Sequence, residues 1–545
     1  MAKKQVKIIF LGGVGEIGKN MTALEYGNDI IIVDCGVTFP DESTPGIDSI
    51  IPDTTYISEN INKLKGIVLT HGHEDHIGAL QYLADEFNVP IYGTALTLGI
   101  LEHKLACRHV KANLKTVEPG DRVRLGCFEV EFIKVAHSMA GACALSIETP
   151  VGVVFFTGDF KIDSTPIDGK LTNLQRIAEI GAKGVLVMLG ESTNIERKGH
   201  STSEKVVGQN LETILNNNRE RRITIATFAS SNYRVQQILN LAQKYGRKVI
   251  LSGRSMKMIV EVGAKVGELQ IPKNIIVDSP GKLPYSQQLV IATGTQGEPM
   301  SALTRLSQGE FNKIALGEND LVVLSSSPIP GNDKFIYRVI NNLFKCGAEV
   351  IYDAMNDVHV SGHAYEEELK IMLSLVRPKF FLPVHGEYRH QVKHVMLAEA
   401  LGVQKANIAI PEIGQVYGFN QSEMKRHPNV PSGSIFVDGE MLDDGKSVIN
   451  ERRHLAENGL IVLLVSIDFK AERLSAPCDV VTRGFGITEE TESVIKRLVD
   501  KTVSELDFSA LDDRSELPKL IRKPIKNYFA KDRQFPVIMP IVLED

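Results

Sequence analysis

Thr70-His71-Gly72-His73-Glu74-Asp75-His76 places three imidazoles beside the carboxylate of Asp75 in one short stretch. Residues so closely spaced cannot share a single helical face. A loop that turns His71 and His73 toward one metal ion, and Asp75 and His76 toward a second, accounts for the spacing. All of these donors are nitrogen or oxygen, which suits catalytic borderline or hard cations better than a closed structural zinc with cysteine ligands. More candidates lie just past strand-like runs: His137 after Phe128–Val135, Asp159 in Thr157-Gly158-Asp159, and His385 after Phe380–Val384. They complete two sets, with His71, His73 and His137 on one ion, Asp75, His76 and His385 on the other, and Asp159 bridging. Two ions about 3.5–4 Å apart would bring the pKa of a shared water toward about 7 and stabilise charge on the attacked group. Such a centre hydrolyses esters, amides or phosphodiesters, and the donors alone do not choose among these.

The elements around these residues read as their supports. Apolar Gly66–Leu69 is a strand entering the loop, and His76–Phe87 an amphipathic helix leaving it. Val6–Leu11, Thr22–Tyr26 and Ile30–Asp34 open the chain as strands, the last two joined through Gly27-Asn28-Asp29. Gly13-Val14-Gly15-Glu16-Ile17-Gly18 matches a dinucleotide fingerprint, and Asp34 follows at a suggestive distance. That fingerprint needs a helix directly after the glycines. Strand, turn and strand follow here, so the glycines read as a tight turn beside a site. Beyond about residue 205, strands at Ile223–Phe228, Val249–Ser252, Ile275–Val277, Leu289–Ala292, Leu321–Ser325 and Val350–Tyr352 alternate with helices such as Arg234–Tyr245 and Lys334–Phe344. This rhythm predicts a separate, mostly parallel α/β domain. Pro428–Lys446 reads as a linker, and Ile461–Phe469 with helical Thr488–Leu506 as a small α+β domain.

Composition narrows the class. The 545 residues are 43% hydrophobic and 23% charged, an ordinary globular balance that excludes a disordered chain or a coiled-coil rod. Against 61 Lys and Arg stand 67 Asp and Glu, a net charge of −6, so nucleic-acid binding would need a local basic groove. Arg219, Arg221, Arg222, Lys244, Arg247 and Lys248, with Arg452 and Arg453 further on, are the candidates, against a solvated-surface role as the first reading for any single one. Six scattered cysteines without CxxC spacing argue against a disulfide framework. No apolar leader or membrane-spanning run is read, so the expectation is a cytoplasmic protein with no membrane partner.

HxHxDH completed by a later His, Asp and His resembles the metallo-β-lactamase superfamily. The long gap between Asp159 and His385 holds Gly190-Glu191-Ser192-Thr193-Asn194 and His359-Val360-Ser361-Gly362-His363-Ala364, and Pro383-Val384-His385-Gly386-Glu387 closes it. These look like the acidic and histidine motifs of the β-CASP nucleases. Thr293–Glu298, Ser326–Asn332 and the C-terminal extension are similar to the bacterial ribonuclease J family. The resemblance implies an α/β fold: a lactamase-type αββα sandwich over 1–205 and 355–420, interrupted by a β-CASP domain over 206–354. A linker over 421–450 and an α+β domain over 451–545 follow.

It further implies a ribonuclease acting on single-stranded RNA, 5′-to-3′ from 5′-monophosphate ends and also internally, in RNA maturation and mRNA decay. Two Zn2+ would activate the attacking hydroxide, with Mn2+ or Mg2+ as alternatives. Asp75, Glu191 and His363 would be catalytic, His363 protonating the leaving 3′ oxygen. Phe228, Ala229 and Ser230, with His359, Val360, Ser361, Gly362 and His363, would contact substrate. Where the family often reads Ser-Asn-x-His-Arg, this chain has Ser230-Ser231-Asn232-Tyr233-Arg234, which puts individual contacts in question. Asp48 and Asp438 match positions that can hold a structural calcium. Phe39 reads as a core residue, with base stacking as the alternative. The expected assembly is a homodimer or homotetramer, with a paralogue or RNA-decay proteins as further partners. The competing readings are a non-catalytic RNA-binding scaffold, a DNA-directed relative, and a small-molecule metallohydrolase, which leaves the inserted domain unexplained.

Overall fold

Near-continuous apolar runs dictate the centre of the molecule. Val6–Gly12, Met21–Tyr26 and Asp29–Val33 are buried almost throughout, as strands covered on both faces must be. The structure, a computed structural model, describes residues 4–41, 43–295, 301–311, 314–326, 333–352, 358–442, 445–508 and 514–544. They form two compact units, residues 1–38 with 50–434, and residues 39–49 with 435–545. Most of Thr293–Glu298 and Ser326–Asn332 that carried the family likeness, residues 296–298 and 327–332, lies outside the described residues.

The first unit contains two sheets packed face to face. One has eight strands in the order Met424–His427, Val416–Phe419, Val6–Gly12, Met21–Tyr26, Asp29–Val33, Leu64–Val68, Pro90–Gly93 and Asn113–Thr116. The other has six, in the order Pro378–Val384, Val185–Glu191, Gly152–Phe156, Cys143–Thr149, Phe128–Lys134 and Arg122–Leu125. Phe10, Leu24 and Val33 from one sheet meet Phe132, Leu145, Leu189 and Phe380 from the other. Helices Leu174–Lys183 and Glu366–Val376 cover the outer face of the six-stranded sheet through Ile177, Met372 and Leu373. Helix Ala95–Cys107 packs beside Pro90–Gly93 and Asn113–Thr116 at the edge of the other.

Strand direction sets where the site falls. Gly152–Phe156, Val185–Glu191 and Pro378–Val384 are parallel neighbours, with Glu191 in register with Val384. Phe128–Lys134 runs the same way, being two antiparallel steps from Gly152–Phe156. Residues following these strands (His137, Asp159, Glu191 at its strand's end, and His385) therefore emerge at one end of the sheet. In the other sheet, Asp29–Val33 and Leu64–Val68 are also parallel, which places Asp34 beside the Thr70–His76 loop.

The chain leaves this sandwich between two adjacent strands, Val185–Glu191 and Pro378–Val384, to build a third sheet. Its five strands, all parallel, run in the order Lys248–Ser252, Gln288–Ala292, Arg222–Ala226, Asp320–Leu324 and Glu349–Ile351. Helices Glu204–Asn217, Asn232–Lys244 and Arg254–Lys265 bury Leu211, Val235, Ile238 and Val260 against one face. Asp333–Lys345 covers the other through Ile336, Val339 and Leu343.

The second unit is centred on Leu460–Asp468, whose alternate residues Ile461, Leu463, Val465 and Ile467 are buried, the period-2 pattern of a half-covered strand. It pairs antiparallel with Asp479–Arg483 and parallel with Val537–Glu544, while helices Glu489–Ser504 and Leu517–Ala530 supply Ile495, Val499, Ile521 and Ile525 to the core.

Three expectations are corrected. His76–Phe87 is not one helix: it divides into Glu74–Ile77 and Leu80–Phe87 because the Ala79 amide donates to the Cys35 carbonyl at 3.0 Å instead of continuing the helical ladder. Ile275–Val277 makes a single bridge to Val249 rather than a strand. Residues 421–450 are not a bare linker, since they hold Met424–His427, the hairpin Ser434–Asp438 with Glu440–Leu442, and the start of helix Gly445–Asn458. Among the described residues, no helix is long and apolar enough to cross a membrane.

Candidate metal centre

Asp159 Oδ2 lies within 4 Å of five imidazole nitrogens. The distances are 3.2 Å to His385 Nε2, 3.3 Å to His76 Nε2, 3.6 Å to His71 Nε2, 3.8 Å to His363 Nδ1 and 3.9 Å to His137 Nε2. Around this atom the donors fall into three overlapping groups: His71, His73, His137 with Asp159; Asp75, His76, His385 with Asp159; and Glu191, His363 with Asp159. In the first, His73 Nδ1 stands 2.9 Å from His71 Nε2 and 3.2 Å from His137 Nε2. In the second, Asp75 Oδ2 lies 3.5 Å from His385 Nε2 and 3.6 Å from His76 Nε2. The seven residues of the expected sets are thus brought together, and His71, His76, His137, Asp159 and His385 are buried.

Hydrogen bonds behind the rings decide which nitrogens face the centre. His76 Nδ1 donates to Asp34 Oδ2 at 2.8 Å. His137 Nδ1 donates to the Gly362 carbonyl at 2.8 Å. The Thr70 hydroxyl gives its proton to Asp34 Oδ2 at 2.8 Å, so its oxygen is left to accept from His71 Nδ1 at 3.1 Å. In each ring the neutral form then aims a bare Nε2 at the cluster, the arrangement a metal ligand requires. Burial, reinforced by neighbouring imidazoles, keeps His71 and His137 well below the usual histidine range, and burial brings His73 down to about 4. At His76 burial is outweighed by Asp159, Asp75 and Asp34, which hold its pKa well above the ordinary value. Burial works against the Asp159 carboxylate as well, but His385, His76 and His363 outweigh it and hold its pKa well down. Converging lone pairs with few polar partners but one another, around an ionised carboxylate, fit divalent metal binding.

Asp34 and Asn20 are functional residues that the motif reading did not assign. Asp34, set aside with the false dinucleotide fingerprint, orients His76 and accepts from the Thr70 amide at 2.8 Å. Its place after a strand parallel to the one feeding HxHxDH was the available signal. Asn20 Nδ2 reaches the Asp75 carbonyl at 3.0 Å and His76 Nε2 at 3.2 Å. Gly36 lets the backbone close on this loop: a Cβ there would sit 1.6 Å from the Asp75 carbonyl oxygen. The Gly13–Gly18 turn supports the centre too, since the Gly13 carbonyl accepts from the His385 amide at 2.7 Å.

His363 Nδ1 donates to Glu191 Oε2 at 2.8 Å, while Glu191 Oε1 accepts from the Phe160 amide at 2.8 Å. Burial would lower the His363 pKa, but Glu191 and Asp159 more than offset it, and the ring is pushed up to about 9. Glu191 thereby fixes the orientation of this ring at the edge of the donor cluster. The loop that carries it is anchored at both ends, because Val358 and Val360 enter the core of the parallel domain and Ser361 Oγ accepts from Asn194 Nδ2 at 2.7 Å.

Phe228, Ala229 and Ser230 lie just past the central strand Arg222–Ala226 of the parallel sheet, and no hydrogen bond ties the Ser230 side chain to the cluster. Their neighbour Asn232 reaches the sandwich, accepting from the Ala140 amide at 2.8 Å close to His137. Tyr233 donates to Asp168 Oδ2 at 2.7 Å.

The basic residues named on the inserted domain divide between its interior and its surface, where Arg219, Arg221, Lys244 and Lys248 remain. Arg222 is buried against Asp320, and Arg247 donates to the carbonyls of Asn218, Arg219, Arg221 and Gln288. Arg221 pairs with Glu349, Lys244 with Glu212, and Lys248 donates to the Asn274 carbonyl. At the two aspartates read as calcium positions, the partners present are protein groups. Asp438 pairs with the Arg452 guanidinium, which also donates to the Gly46 carbonyl at 2.8 Å, and Asp48 Oδ2 accepts from the Gly439 amide. Phe39 is 65% exposed and not a core residue.

Comparison with known proteins agrees along the chain. Residues 14–193 match the metallo-β-lactamase superfamily, 220–343 the ribonuclease J β-CASP domain, 347–411 the Zn-dependent metallo-hydrolase RNA specificity domain, and 447–545 the ribonuclease J C-terminal domain. Ribonuclease J of Synechocystis sp. is 43% identical over 92% of this chain and 79% of its own. Ribonuclease J of Thermus thermophilus is 39% identical over 99% and 95%. Ribonuclease J2 of Bacillus subtilis is 36% identical over 99% of each. A protein of unknown function from Enterococcus faecalis V583 shares the fold at 18% identity, with a TM-score of 0.54 over 76% of this chain and 100% of its own. With the donor cluster and four consecutive domain matches in place, the chain belongs to the ribonuclease J family of metal-dependent ribonucleases.

Proposed function

We propose that the chain is a zinc-dependent ribonuclease that degrades single-stranded RNA 5′-to-3′ from a 5′-monophosphate end and also cuts internally, serving RNA maturation and mRNA decay in the cytoplasm as a homodimer or homotetramer. In this reading His71, His73 and His137 hold one Zn2+, Asp75, His76 and His385 hold a second, and Asp159 is common to both. The ions supply the Lewis acidity that makes water nucleophilic near neutral pH and stabilises charge developing on the phosphoryl oxygens. His363 carries its proton on Nε2 to the leaving 3′ oxygen, while Glu191 keeps the ring oriented and charged through Nδ1. His359, Ser361 and the intervening backbone amides hold substrate phosphate, and Phe228, Ala229 and Ser230 line the same pocket.

The observation that carries this reading is the convergence of five imidazoles on Asp159 Oδ2, with the ion-paired His363 among them. One RNA prepared with a 5′-monophosphate, triphosphate or hydroxyl, and its DNA counterpart, tests it. Wild type should release mononucleotides from the monophosphate end of RNA, and His76→Ala should not. Tight binding of RNA without cleavage by metal-loaded wild type would instead favour a scaffold subunit.

A further inference from the structure

Arg234 is a cation buried to 1% exposure that the hydrolysis described above leaves without a task. It lies on helix Asn232–Lys244, and its Nε and Nη2 donate to the two carboxylate oxygens of Glu204 at 2.8 and 2.9 Å. Its Nη1 donates to the Ser325 carbonyl at 2.6 Å and lies 3.2 Å from His359 Nδ1. A guanidinium offers only N–H donors and does not deprotonate in proteins. His359 Nδ1 is therefore the acceptor, and the ring proton belongs on Nε2. That second nitrogen makes no hydrogen bond among the described residues, and the residue as a whole is half-buried.

The surroundings hold the ring in this state. Val358 and Val360 on either side are buried in the parallel-domain core, and Ser325 Oγ donates to the Val358 carbonyl at 2.5 Å, so the backbone is fixed. Among the described residues, the charged groups acting on the imidazole are the cations Arg234 from its helix, Arg197 from the segment after Glu191, and Lys161 from the segment after Asp159, with the Glu204 carboxylate behind Arg234. Burial and these three cations push the His359 pKa down to about 3.

We propose that the buried Glu204–Arg234 pair is a positioning device that holds His359 as a neutral imidazole with its proton on Nε2, so that it meets a substrate phosphate as a fixed hydrogen-bond donor, neither a cation nor a proton acceptor. The proposal rests on the reading above that His359 contacts phosphate. It gives the two histidines of His359–His363 opposite partners at Nδ1, four residues apart: a carboxylate acceptor, Glu191, for His363 and a guanidinium donor, Arg234, for His359. A buried ion pair is a poor source of stability relative to apolar side chains of similar volume. Fixing the tautomer of a substrate-facing ring gives this pair a functional use.

The test uses the zinc-loaded full chain with 15N-labelled histidine, the His359 ring signals being assigned by their loss in His359→Gln. The expected result is one Nε2–H tautomer that does not titrate between about pH 5 and 8. Titration in that window, or a proton on Nδ1, would overturn the proposal. Kinetics with 5′-monophosphorylated RNA give the second readout. His359→Gln, which keeps a neutral N–H donor, should raise KM by less than about threefold, and His359→Phe by about tenfold, the worth of one hydrogen bond. Equal losses in both would contradict the neutral-donor role. An unchanged KM in His359→Phe, with the tautomer as expected, would sink the phosphate contact instead. Finally, Glu204→Gln combined with Arg234→Met removes the pair without stranding a buried charge. In that double variant His359 should titrate nearer its ordinary value of about 6.5 and KM should become pH-dependent, with kcat little changed. A ring still fixed and neutral would show that the pair is not what holds it.

Discussion

At the scale of single residues, the proposed roles separate groups that would hold metal from groups that would handle protons. His363 sits on Glu191 at 2.8 Å and shares Asp159 with a third donor group, but it lies outside the two four-residue groups proposed to hold the ions, so its loss should leave their binding intact. His363→Gln is expected to lower kcat by about 10²- to 10⁴-fold, the usual worth of a positioned acid, at unchanged metal content. Metal loss in that variant would mean that His363 is a ligand. Asp34 is the converse case, because it touches no substrate-facing group and acts by orienting His76. Asp34→Asn should weaken metal affinity by about 10- to 100-fold, measured by competition with a chelator, and added zinc should restore much of the turnover.

At the scale of elements, the helix Tyr388–Ala400 behind the six-stranded sheet carries a titratable group away from the metal cluster. His394 is fully buried there, 3.0 Å from Ser192 Oγ through Nδ1, and burial pushes its pKa down to about 3. In the unfolded chain it returns to about 6.5. With the folded value depressed, its neutral form is accommodated above about pH 6.5, and stability falls as pH drops from there toward 3. Between pH 7 and 5 this one group should cost about 2 kcal/mol, so denaturant unfolding of His394→Phe should lose about that much less than wild type over the interval. Equal pH dependence in the two proteins would remove His394 as the cause.

The same scale explains what was legible beforehand. HxHxDH and the strand-end positions of His137, Asp159 and His385 gave away the donor set, because parallel strands deliver their following residues to one edge. Period and composition did not reveal that Ala79 would donate to Cys35 and split a helix, since that bond depends on a strand distant in sequence. Nor could they show that Arg222 and Arg247 are spent on a carboxylate and carbonyls inside the fold. Charge reads the same in sequence whether it faces solvent or a buried partner.

For the whole molecule, the decisive feature is an excursion of the chain between two neighbouring strands of one sheet. Val185–Glu191 and Pro378–Val384 stay in register while residues between them build a separate parallel domain. That domain returns through His359–His363, so the loop completing the site is anchored in the inserted core at Val358 and Val360 and bonded to the sandwich at Glu191 and His137. The motif order announced this insertion, whereas the Asp34, Asn20 and Arg234 supports needed three-dimensional contacts to be seen. Hydrolysis by such a molecule should depend on the metal-binding cluster centred on Asp159. The most direct test measures metal per chain and hydrolysis of a 5′-monophosphorylated RNA on the same samples of wild type and Asp159→Asn, before and after chelation. The account predicts two divalent ions per wild-type chain, activity lost with chelation and restored by zinc, and an inactive, metal-depleted Asp159→Asn. Full RNA hydrolysis by a folded Asp159→Asn protein, or by stripped wild type, would contradict it.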